Sequence, residues 1–230
     1  MRRPTRRGLV ALLTAASVLL LSAALPADEP PQVDKDGLKL VKRTKERLVY
    51  LRDGASFSQY HKIQVLDCYV EFQKNWQRDY NSDTSSLSQR VNDSDIERMK
   101  KGLADMFKKA FTEELSKNGG YTIVDAAGPD VLVLRPALIN VTVTAPDIMS
   151  ANVRAVVVRS AGSATLYLEL WDSASNTILA RVADSQSDYQ PIPQRASGVT
   201  NVAAADTMMR DWAKQLRQHL EAARSQTPAS

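Results

Sequence analysis

The chain has 230 residues, of which 43% are hydrophobic and 24% charged, with two histidines and one cysteine. This composition is that of a globular protein and excludes collagen-like, low-complexity and wholly disordered classes. A single cysteine also excludes a disulfide scaffold and a cysteine-based zinc site. The formal net charge of +4 comes from four arginines within residues 1–27, which leaves 26 basic and 26 acidic side chains in the rest of the chain. The sequence therefore predicts no nucleic-acid partner, because that function needs a basic excess on the folded domain.

Residues 1–27 are typical of a secretory signal peptide. The arginines form the charged start, and the uncharged apolar run from Leu9 to Leu21 is shorter than the roughly 20 residues that span a bilayer. Small residues follow and allow cleavage after Ala24 or Ala27, of which we favour Ala27. We expect no transmembrane span after the leader is cleaved.

The leader leaves two export routes open. Arg6-Arg7, one spacer and two apolar residues resemble a twin-arginine signal, although arginine pairs are also common in Sec-type leaders. No cysteine lies near the cleavage positions, so the expected protein has no lipid-attachment cysteine. We expect a periplasmic protein, or one peripherally associated with the outer membrane.

The mature chain is predicted to hold one α+β domain over 46–223. A flexible tether is expected over 28–45, where the chain is charged, contains proline and has no hydrophobic period, and a disordered tail over 224–230. Apolar stripes at three-and-four spacing predict amphipathic helices, and alternating patterns predict strands. The helices fall at 95–118 and 201–223, and the strands at 48–51, 63–72, 121–124, 131–144, 165–171 and 177–183.

Local signals refine these elements. Ser94 and Glu97 have the spacing of a capping box for the first helix. Pro136 lies inside a strand pattern and predicts a bulge, an edge or a break there. Polar segments at 73–93 and 185–199 are read as loops. The element order predicts a mixed, largely antiparallel sheet of about five to six strands covered by the two helices, the first of which crosses over between strands.

Several segments together resemble one family. In order they are Ala55–Tyr60, Cys68–Phe72, Trp76–Asn81, Ala127–Leu132, Ala145–Ser150 and Leu166–Ser173. They resemble the uncharacterised bacterial cell-envelope family known as domain of unknown function thirty-three thirteen, over roughly residues 37–223. The resemblance implies an envelope protein of Gram-negative bacteria, and members are often predicted lipoproteins, from which this chain departs at the leader's end. The element order is also similar to envelope-assembly domains such as the N-terminal domain of TolB, which is a likeness of fold alone.

The main candidate binding site lies within the polar segment 73–93. It consists of a tryptophan, an arginine, an aspartate, a tyrosine and an asparagine: Trp76, Arg78, Asp79, Tyr80 and Asn81. Tryptophan, tyrosine and arginine anchor interfaces because they combine large area with polar groups, and the same rings can stack on a sugar. The alternative is a structural segment held down by Trp76, with Arg78 paired to a carboxylate.

The second candidate binding site is the tip formed by Ile148 and Met149, between Pro146 and Ser150, after the longest strand signal. It either binds a partner or covers a sheet edge.

The sequence predicts no catalytic residue, no metal site and no cofactor, because no nucleophile elbow, P-loop, dinucleotide fingerprint or zinc-protease motif occurs. Cys68 shares the apolar parity of Leu66 and Val70, so a buried, inert thiol is expected. His61 would lie roughly 23 Å from Cys68 along a strand, beyond hydrogen-bond reach.

The expected function is that of an exported, non-enzymatic binding or assembly accessory. An envelope protein or cell-wall component is the expected partner, with self-association as a further option. The alternatives are a glycan-binding module or an envelope hydrolase that uses carboxylates such as Glu71, Asp79 or Asp147.

Overall fold

A computed structural model describes residues 29–144, 156–196 and 198–225, apart from the side chains of 156–161 and 188–200. The eight strands of this part are β1 (Lys39–Arg43), β2 (Arg47–Leu51), β3 (Lys62–Val65), β4 (Tyr69–Phe72), β5 (Thr122–Ile123), β6 (Val131–Val143), β7 (Val156–Asp172) and β8 (Thr177–Ala196). Its α-helices are α1 (Trp76–Asp83), α2 (Asp93–Ser116) and α3 (Gly198–Ser225), with short 3₁₀ turns at Leu87–Gln89 and Lys117–Gly119. None of the described helices is long and apolar enough to cross a bilayer.

The strands form one open sheet in the order β1-β2-β8-β7-β6-β3-β5, and β4 pairs with β6 beyond the end of β3. The β1–β2, β2–β8, β8–β7 and β7–β6 pairs are antiparallel. Pairs of β3 with β5 and β6, and of β4 with β6, are parallel. The predicted α+β class with a mixed, largely antiparallel sheet is confirmed, and α2 makes the expected crossover from β4 to β5. The described sheet has eight strands rather than five to six.

One reason for the higher count is that the single strand predicted over 63–72 is two strands. Val65 of β3 pairs with Leu134 and Tyr69 of β4 with Ala137, so the gap between β3 and β4 lies opposite Pro136. Leu134 directs its backbone towards β3, where its carbonyl accepts from the Leu66 amide at 3.0 Å. Two residues later Pro136 faces the same neighbour without an N–H group. Strand β6 therefore continues through its proline, and the break falls in the partner strand.

The predicted tether is wrong over 31–43, because Lys39–Arg43 is the edge strand β1 and the residues before it pack on the face of the sheet opposite α2 and α3. Leu38 is fully buried there, with Tyr50 and Ile178. Arg181 lies beneath the segment and binds Asp34, Asp36 at 2.6 Å and Glu169 at 2.8 Å. The segment was predicted as a tether because one buried leucine among charged residues has no local period, while the charges that hold it come from distant strands.

The predicted loops are also partly wrong. Strand β8 continues to Ala196 as the hairpin partner of β7, so most of 185–199 is strand. Segment 73–93 contains α1 and a 3₁₀ turn. Polar composition predicts a loop, but here the stacking of Trp76 on Tyr80 and the hydrogen bonds between Asn81 and Val91 order the segment.

Both predicted amphipathic helices are present, with small shifts at their ends. Helix α2 begins two residues earlier than expected, and its capping box is formed by Asn92 and Asp95 rather than by Ser94 and Glu97. Asn92 accepts from the Asp95 amide at 3.1 Å, and Asp95 accepts from the Asn92 amide at 3.0 Å. Helix α3 runs to Ser225, into the predicted disordered tail, of which residues 226–230 lie outside the described part.

Alternate side chains of β6, β7 and β8 face α2 and α3 and form the main core. Leu134, Leu138, Leu166 and Leu168 are at most 3% exposed, and Phe107, Phe111 and Trp212 pack on them from the helices. Burial of this many large apolar side chains is the main force that holds both helices on one face of the sheet.

Candidate functional site

A cavity of about 300 Å³ lies between α2, α3 and the sheet. Its walls are the residues 98–106 of α2 and 201–212 of α3, and its floor is made by β6 and β7 around Leu138, Val141 and Ala164. The two helices run in the same direction, because early residues of α2 lie across from early residues of α3. The cavity occupies the space between their N-terminal halves.

Ion pairs hold the same two helices together further along. Arg210 of α3 binds Glu113 at 2.8 Å and Glu114 at 3.6 Å on α2, and Asp206 on its own helix at 2.7 Å. Hydrogen bonds to Asp206 and Glu113 raise the pKa of the Arg210 guanidinium above its usual value. The ion pairs thus join the middle of α3 to the last turn of α2, so the space that the N-terminal halves enclose depends on the side chains there.

Methionine side chains dominate the cavity wall. Met99, Met106, Met208 and Met209 all line it, which is four of the six methionines in the chain. Methionine is unbranched, polarizable and flexible, and it is enriched at surfaces that adapt to apolar ligands. The wall can therefore adjust its shape to an apolar group.

Small residues keep the cavity open, and Gly102 is the most telling of them. It lies in the interior of the 24-residue helix α2, where glycine disfavours the helix. A Cβ atom built at Gly102 meets nothing within 4 Å, so close packing does not require the glycine. Ala204 and Ala205 line the opposite wall on α3. Gly102 therefore lies at the exposed rim of the cavity and adds no side chain to its wall.

The deep end of the cavity is fixed by Trp212, which is 3% exposed. Its indole Nε1 donates to Asp184 at 2.8 Å, and Arg47 donates to the same carboxylate oxygen at 2.7 Å. Arg47 also donates to Gln215 of α3. This network ties β2, β8 and α3 together and sets the orientation of the ring.

The polar groups of the lining are largely satisfied within the protein. Thr142 and Ser163 share a hydroxyl–hydroxyl hydrogen bond of 2.8 Å, and the Ser163 amide donates to Thr142 at 3.1 Å. Arg98, the one charged side chain among the described lining residues, is bound to Asp95 at 2.8 Å. The cavity thus offers apolar surface bordered by paired polar groups.

The predicted binding residues of segment 73–93 lie together on α1. Trp76 stacks on Tyr80 with ring centroids 5.5 Å apart and packs against Phe72 of β4 at 4.7 Å. Asn81 exchanges two hydrogen bonds of 2.8 Å with the backbone of Val91. Through these contacts Trp76, Tyr80 and Asn81 hold α1 against β4 and the backbone of Val91.

The charged pair of the same site is exposed. Arg78 donates to Asp79 at 2.8 Å, and the side chains are 71% and 62% exposed. Leu87, in the 3₁₀ turn that follows α1, is 77% exposed. The structure thus separates the predicted site into a packed part and an exposed part, and its binding role stays a prediction.

The remaining predicted residues are dispersed. Ile148, Met149 and Asp147 lie outside the described residues. Glu71 is exposed on β4 and accepts from Tyr69 at 3.2 Å. Cys68 is buried, as expected, and burial raises the pKa of its thiol to about 12, although a hydrogen bond from the Leu138 backbone opposes the shift.

The cavity was not predicted from the sequence. Two signals in the chain point to it: a glycine inside a strong helix pattern, and methionines on the inward stripes of both helices. A single glycine or methionine within one helix is common in proteins. The signals indicate a site only because Gly102 and the methionines of both helices line the same cavity.

Comparison with known proteins places the chain in a family. No curated protein matches it. Among solved structures, it is similar to the PelC dodecamer from Paraburkholderia phytofirmans, with 9% identity, a TM-score of 0.35 and coverage of 74% of this chain and 97% of that one. A Xanthomonas campestris protein of the family-model DUF330 is similar with 12% identity, a TM-score of 0.39 and coverage of 73% and 90%. The family model described as Protein of unknown function (DUF3313) matches residues 33–216, and the chain belongs to that family.

Proposed function

We propose that the protein is an exported cell-envelope accessory that binds a ligand without catalysing a reaction, and that the cavity between α2 and α3 takes the apolar part of that ligand. The observation that carries this proposal is the apolar, methionine-lined volume of about 300 Å³. Small-molecule sites are concave, mostly apolar pockets of about 300–1,000 Å³ with a few polar groups at fixed positions.

The shape of the cavity favours a small molecule over a protein partner. Stable protein interfaces bury above about 1,000 Å² across flat surfaces. Here the apolar surface is recessed between two helices, with Gly102 and Val202 on its exposed side and Leu138 and Trp212 buried within. A recessed site of this kind surrounds a slender ligand.

The lining suits binding better than chemistry. Its described polar side chains are an arginine paired with a carboxylate, two hydroxyls bonded to each other and the amide of Asn201. The guanidinium and the two hydroxyls are already engaged as donors and acceptors, whereas acid–base or nucleophilic catalysis needs a group within reach of substrate and matched in pKa.

Export is supported by the composition of the leader, and its test is direct. The protein is expressed with its full leader, and the N-terminus of the protein recovered from the periplasmic fraction is determined by mass spectrometry. We expect it to begin at Asp28, or at Leu25 if cleavage follows Ala24. An intact Met1 in that fraction would overturn the export proposal.

The binding proposal is tested by NMR on protein labelled in its methionine methyl groups. Benzene and n-hexane are the probes, because a smaller engineered apolar cavity of about 150 Å³ already binds benzene. We expect saturable shifts at Met99, Met106, Met208 and Met209, assigned by single Met→Leu variants. Shifts that rise linearly without saturation, or that are absent, would contradict a binding cavity.

A second candidate function is partner binding by the exposed part of α1. The exposed Arg78–Asp79 pair and the exposed Leu87 favour it, since an apolar residue beside a charged pair can form the centre and rim of a small interface. Partner binding by α1 and ligand binding in the cavity use different residues, so the two functions are compatible.

A further inference from the structure

We infer that the cavity wall is a site of methionine oxidation, at which a peroxide converts Met99, Met106 and Met208 to methionine sulfoxide, makes the wall polar and lowers the affinity for the apolar ligand. This inference rests on the proposed function, because it names how binding at that same site is regulated. The location of the sulfur atoms and their unequal exposure support it.

The methionines of the chain are concentrated at the cavity. The sequence has six, of which Met1 and Met149 lie outside the described residues. The four that the structure describes all line the cavity: Met99, Met106, Met208 and Met209. Two belong to α2 and two to α3, so both helical walls contribute thioethers to the same space. Oxidation of any described methionine therefore changes the lining of this cavity.

The four sulfur atoms differ in their access to solvent. Met209 is 3% exposed, whereas the side chains of Met99, Met106 and Met208 are half-buried. The cavity also has an exposed rim, to which Val202 belongs. A small, water-soluble oxidant therefore reaches the three half-buried methionines before it reaches Met209.

The one cysteine of the chain does not compete for the oxidant. Cys68 is 7% exposed, and burial raises the pKa of its thiol to about 12, although a hydrogen bond from the Leu138 backbone opposes the shift. The thiolate is the reactive form of cysteine, and it is scarce at neutral pH when the pKa is raised. The proposed export also places the protein in an oxidising compartment. The half-buried methionines are then the most accessible sulfur atoms among the described residues.

The reaction transfers one oxygen atom to each thioether. With hydrogen peroxide, a sulfur lone pair attacks one oxygen, the O–O bond breaks, and the departing hydroxide takes up the remaining proton to leave as water. The sulfur is oxidised by two electrons, and the peroxide is reduced by two. Methionine sulfoxide reductases reverse the change, with one enzyme for each sulfoxide epimer. The modification can therefore act as a reversible switch.

Sulfoxide formation opposes binding of an apolar ligand. It converts a flexible, apolar side chain into a polar one. When an apolar ligand fills the cavity, the new S–O group loses its contact with water, and burial of a polar group without a hydrogen bond is unfavourable. The hydroxyls of Thr142 and Ser163 are already bonded to each other. The oxidised wall should therefore prefer water to an apolar group.

The first test follows the order of oxidation. Mature protein labelled in its methionine methyl groups is exposed to hydrogen peroxide, and NMR follows each methyl signal, which moves when the sulfoxide forms. We expect Met99, Met106 and Met208 to react at least several-fold faster than Met209. Saturating benzene should slow the oxidation of all three, because it occupies the space that they line. Oxidation of Met209 at the same rate, or no protection by benzene, would overturn the inference.

The second test measures binding after oxidation. Peroxide is removed with catalase once the three signals have moved, and benzene is titrated again, with the Met209 methyl as the reporter. We expect the affinity to fall at least about tenfold, because the ligand must now bury polar groups. Return of the methyl signals under the two reductases should restore the affinity. Unchanged affinity in the oxidised protein, or affinity that stays low after the signals return, contradicts the switch.

Variants assign the effect to the wall. The triple variant Met99→Leu, Met106→Leu and Met208→Leu keeps the wall apolar without its oxidisable sulfurs, so it should bind benzene equally before and after peroxide. The matched control is Met209→Leu, which keeps the three sulfurs and should still lose affinity. Circular dichroism verifies folding, and the three single variants, each expected to remove part of the loss, replace the triple variant if it is unfolded. A loss of affinity in the variants as large as in the wild type would assign the sensitivity to another group.

The outcomes separate the inference from the proposed function. If benzene saturates the methionine signals of the untreated protein and the sulfoxide form binds it equally well, the cavity is a binding site without this regulation and only the inference fails. If benzene does not saturate the signals of the untreated protein, both fail.

Discussion

Trp212 and Asp184 meet in the buried layer between α3 and β8, where the indole Nε1 donates to the carboxylate at 2.8 Å. Asp184 is 4% exposed and lies across from the core residue Leu166 in the β7–β8 pair. A carboxylate at such a position needs partners, which Trp212 and Arg47 supply. The same bond that satisfies the acid therefore fixes the deep end of the cavity.

Asp184→Ala should destabilise the fold by roughly 2–3 kcal/mol, because it leaves the Trp212 N–H without its acceptor and takes the carboxylate partner from the partly buried Arg47. Urea unfolding followed by circular dichroism measures the change. The control is Asp105→Ala, which removes a 67% exposed carboxylate paired with Lys101 and should stay within ~0.5 kcal/mol. Similar midpoints for the two variants would show that the Asp184 network contributes little.

Gly102→Ala should raise the free energy of unfolding by about 0.5–1 kcal/mol, because alanine is the better helix former and its Cβ meets no neighbour within 4 Å. Gly120→Ala provides the contrast, since a Cβ there would lie 2.4 Å from the Leu115 carbonyl oxygen and should destabilise. A loss of stability at Gly102 would mean that the helix needs the glycine for packing, and that its place in the cavity wall is incidental.

Cys68 should behave as a structural side chain. Burial raises the pKa of its thiol to about 12, so the reactive thiolate is scarce at pH 8 in the native protein. A thiol-specific reagent such as dithionitrobenzoate should label it only after unfolding in urea. Cys68→Ala should cost roughly 1–2 kcal/mol through lost packing. Rapid labelling of the native protein at pH 8 would contradict burial of the thiol.

Two tyrosines, Tyr60 buried and Tyr167 half-buried, should make the fold sensitive to alkaline pH. Burial, followed by the hydrogen bond to Asp172, raises the pKa of Tyr60 well above its usual value of 10.0. Burial raises the pKa of Tyr167 to about 12. In the unfolded chain both ionise near pH 10, whereas the native protein keeps them protonated. Their contribution to stability is therefore complete below pH 10 and is lost as the pH rises through the native pKa values.

The measurement is the free energy of unfolding between pH 8 and pH 12. Tyr60→Phe should reduce the fall in stability above pH 10, while Tyr69→Phe, at a position 60% exposed, should leave it unchanged. An identical alkaline profile for the wild type and the Tyr60 variant would assign the sensitivity to other groups.

At the exposed part of α1, Arg78→Ala should weaken capture of an envelope partner in cross-linking of intact cells, with a stability change within ~0.5 kcal/mol. Tyr80→Ala is the less clean variant, because its ring stacks on Trp76 and its removal should cost about 1 kcal/mol. Lys101→Ala, an exposed charge removed from α2, is the control for non-specific loss of capture. Unchanged capture with Arg78→Ala would remove this surface from the function.

Prediction from sequence succeeded where the signal is local. The apolar stripes of α2 and α3 and the apolar–polar alternation of β6 and β7 repeat every few residues. The pattern of neighbouring residues therefore predicts which side of each element is buried. The alternation in Leu166, Leu168 and Leu170 identified the core face of β7 correctly. The Asn92–Asp95 cap was placed two residues late, because the stretch 92–95 holds several residues that can begin a helix.

Prediction from sequence failed where contacts with residues distant in the chain stabilise a segment. Helix α1 is held by Val91 and by Phe72 from outside its own sequence. The segment 31–43 is held by Arg181, about 150 positions away along the chain. A short polar segment has no periodic pattern that reveals such partners, since its own composition favours a loop.

The chain by itself determines the leader-like N-terminus, the two amphipathic helices, the core faces of the strands and the burial of Cys68, because each depends on charge, polarity or periodicity within a few neighbouring residues. Only the tertiary structure decides that Gly102, Ala205 and the four wall methionines enclose one volume. In the sequence, strands β5 to β8 lie between helices α2 and α3. The distance between the two helices is set by the Arg210 ion pairs and by the packing of both helices on β6 and β7. A cavity is a property of that spacing, so no single segment encodes it.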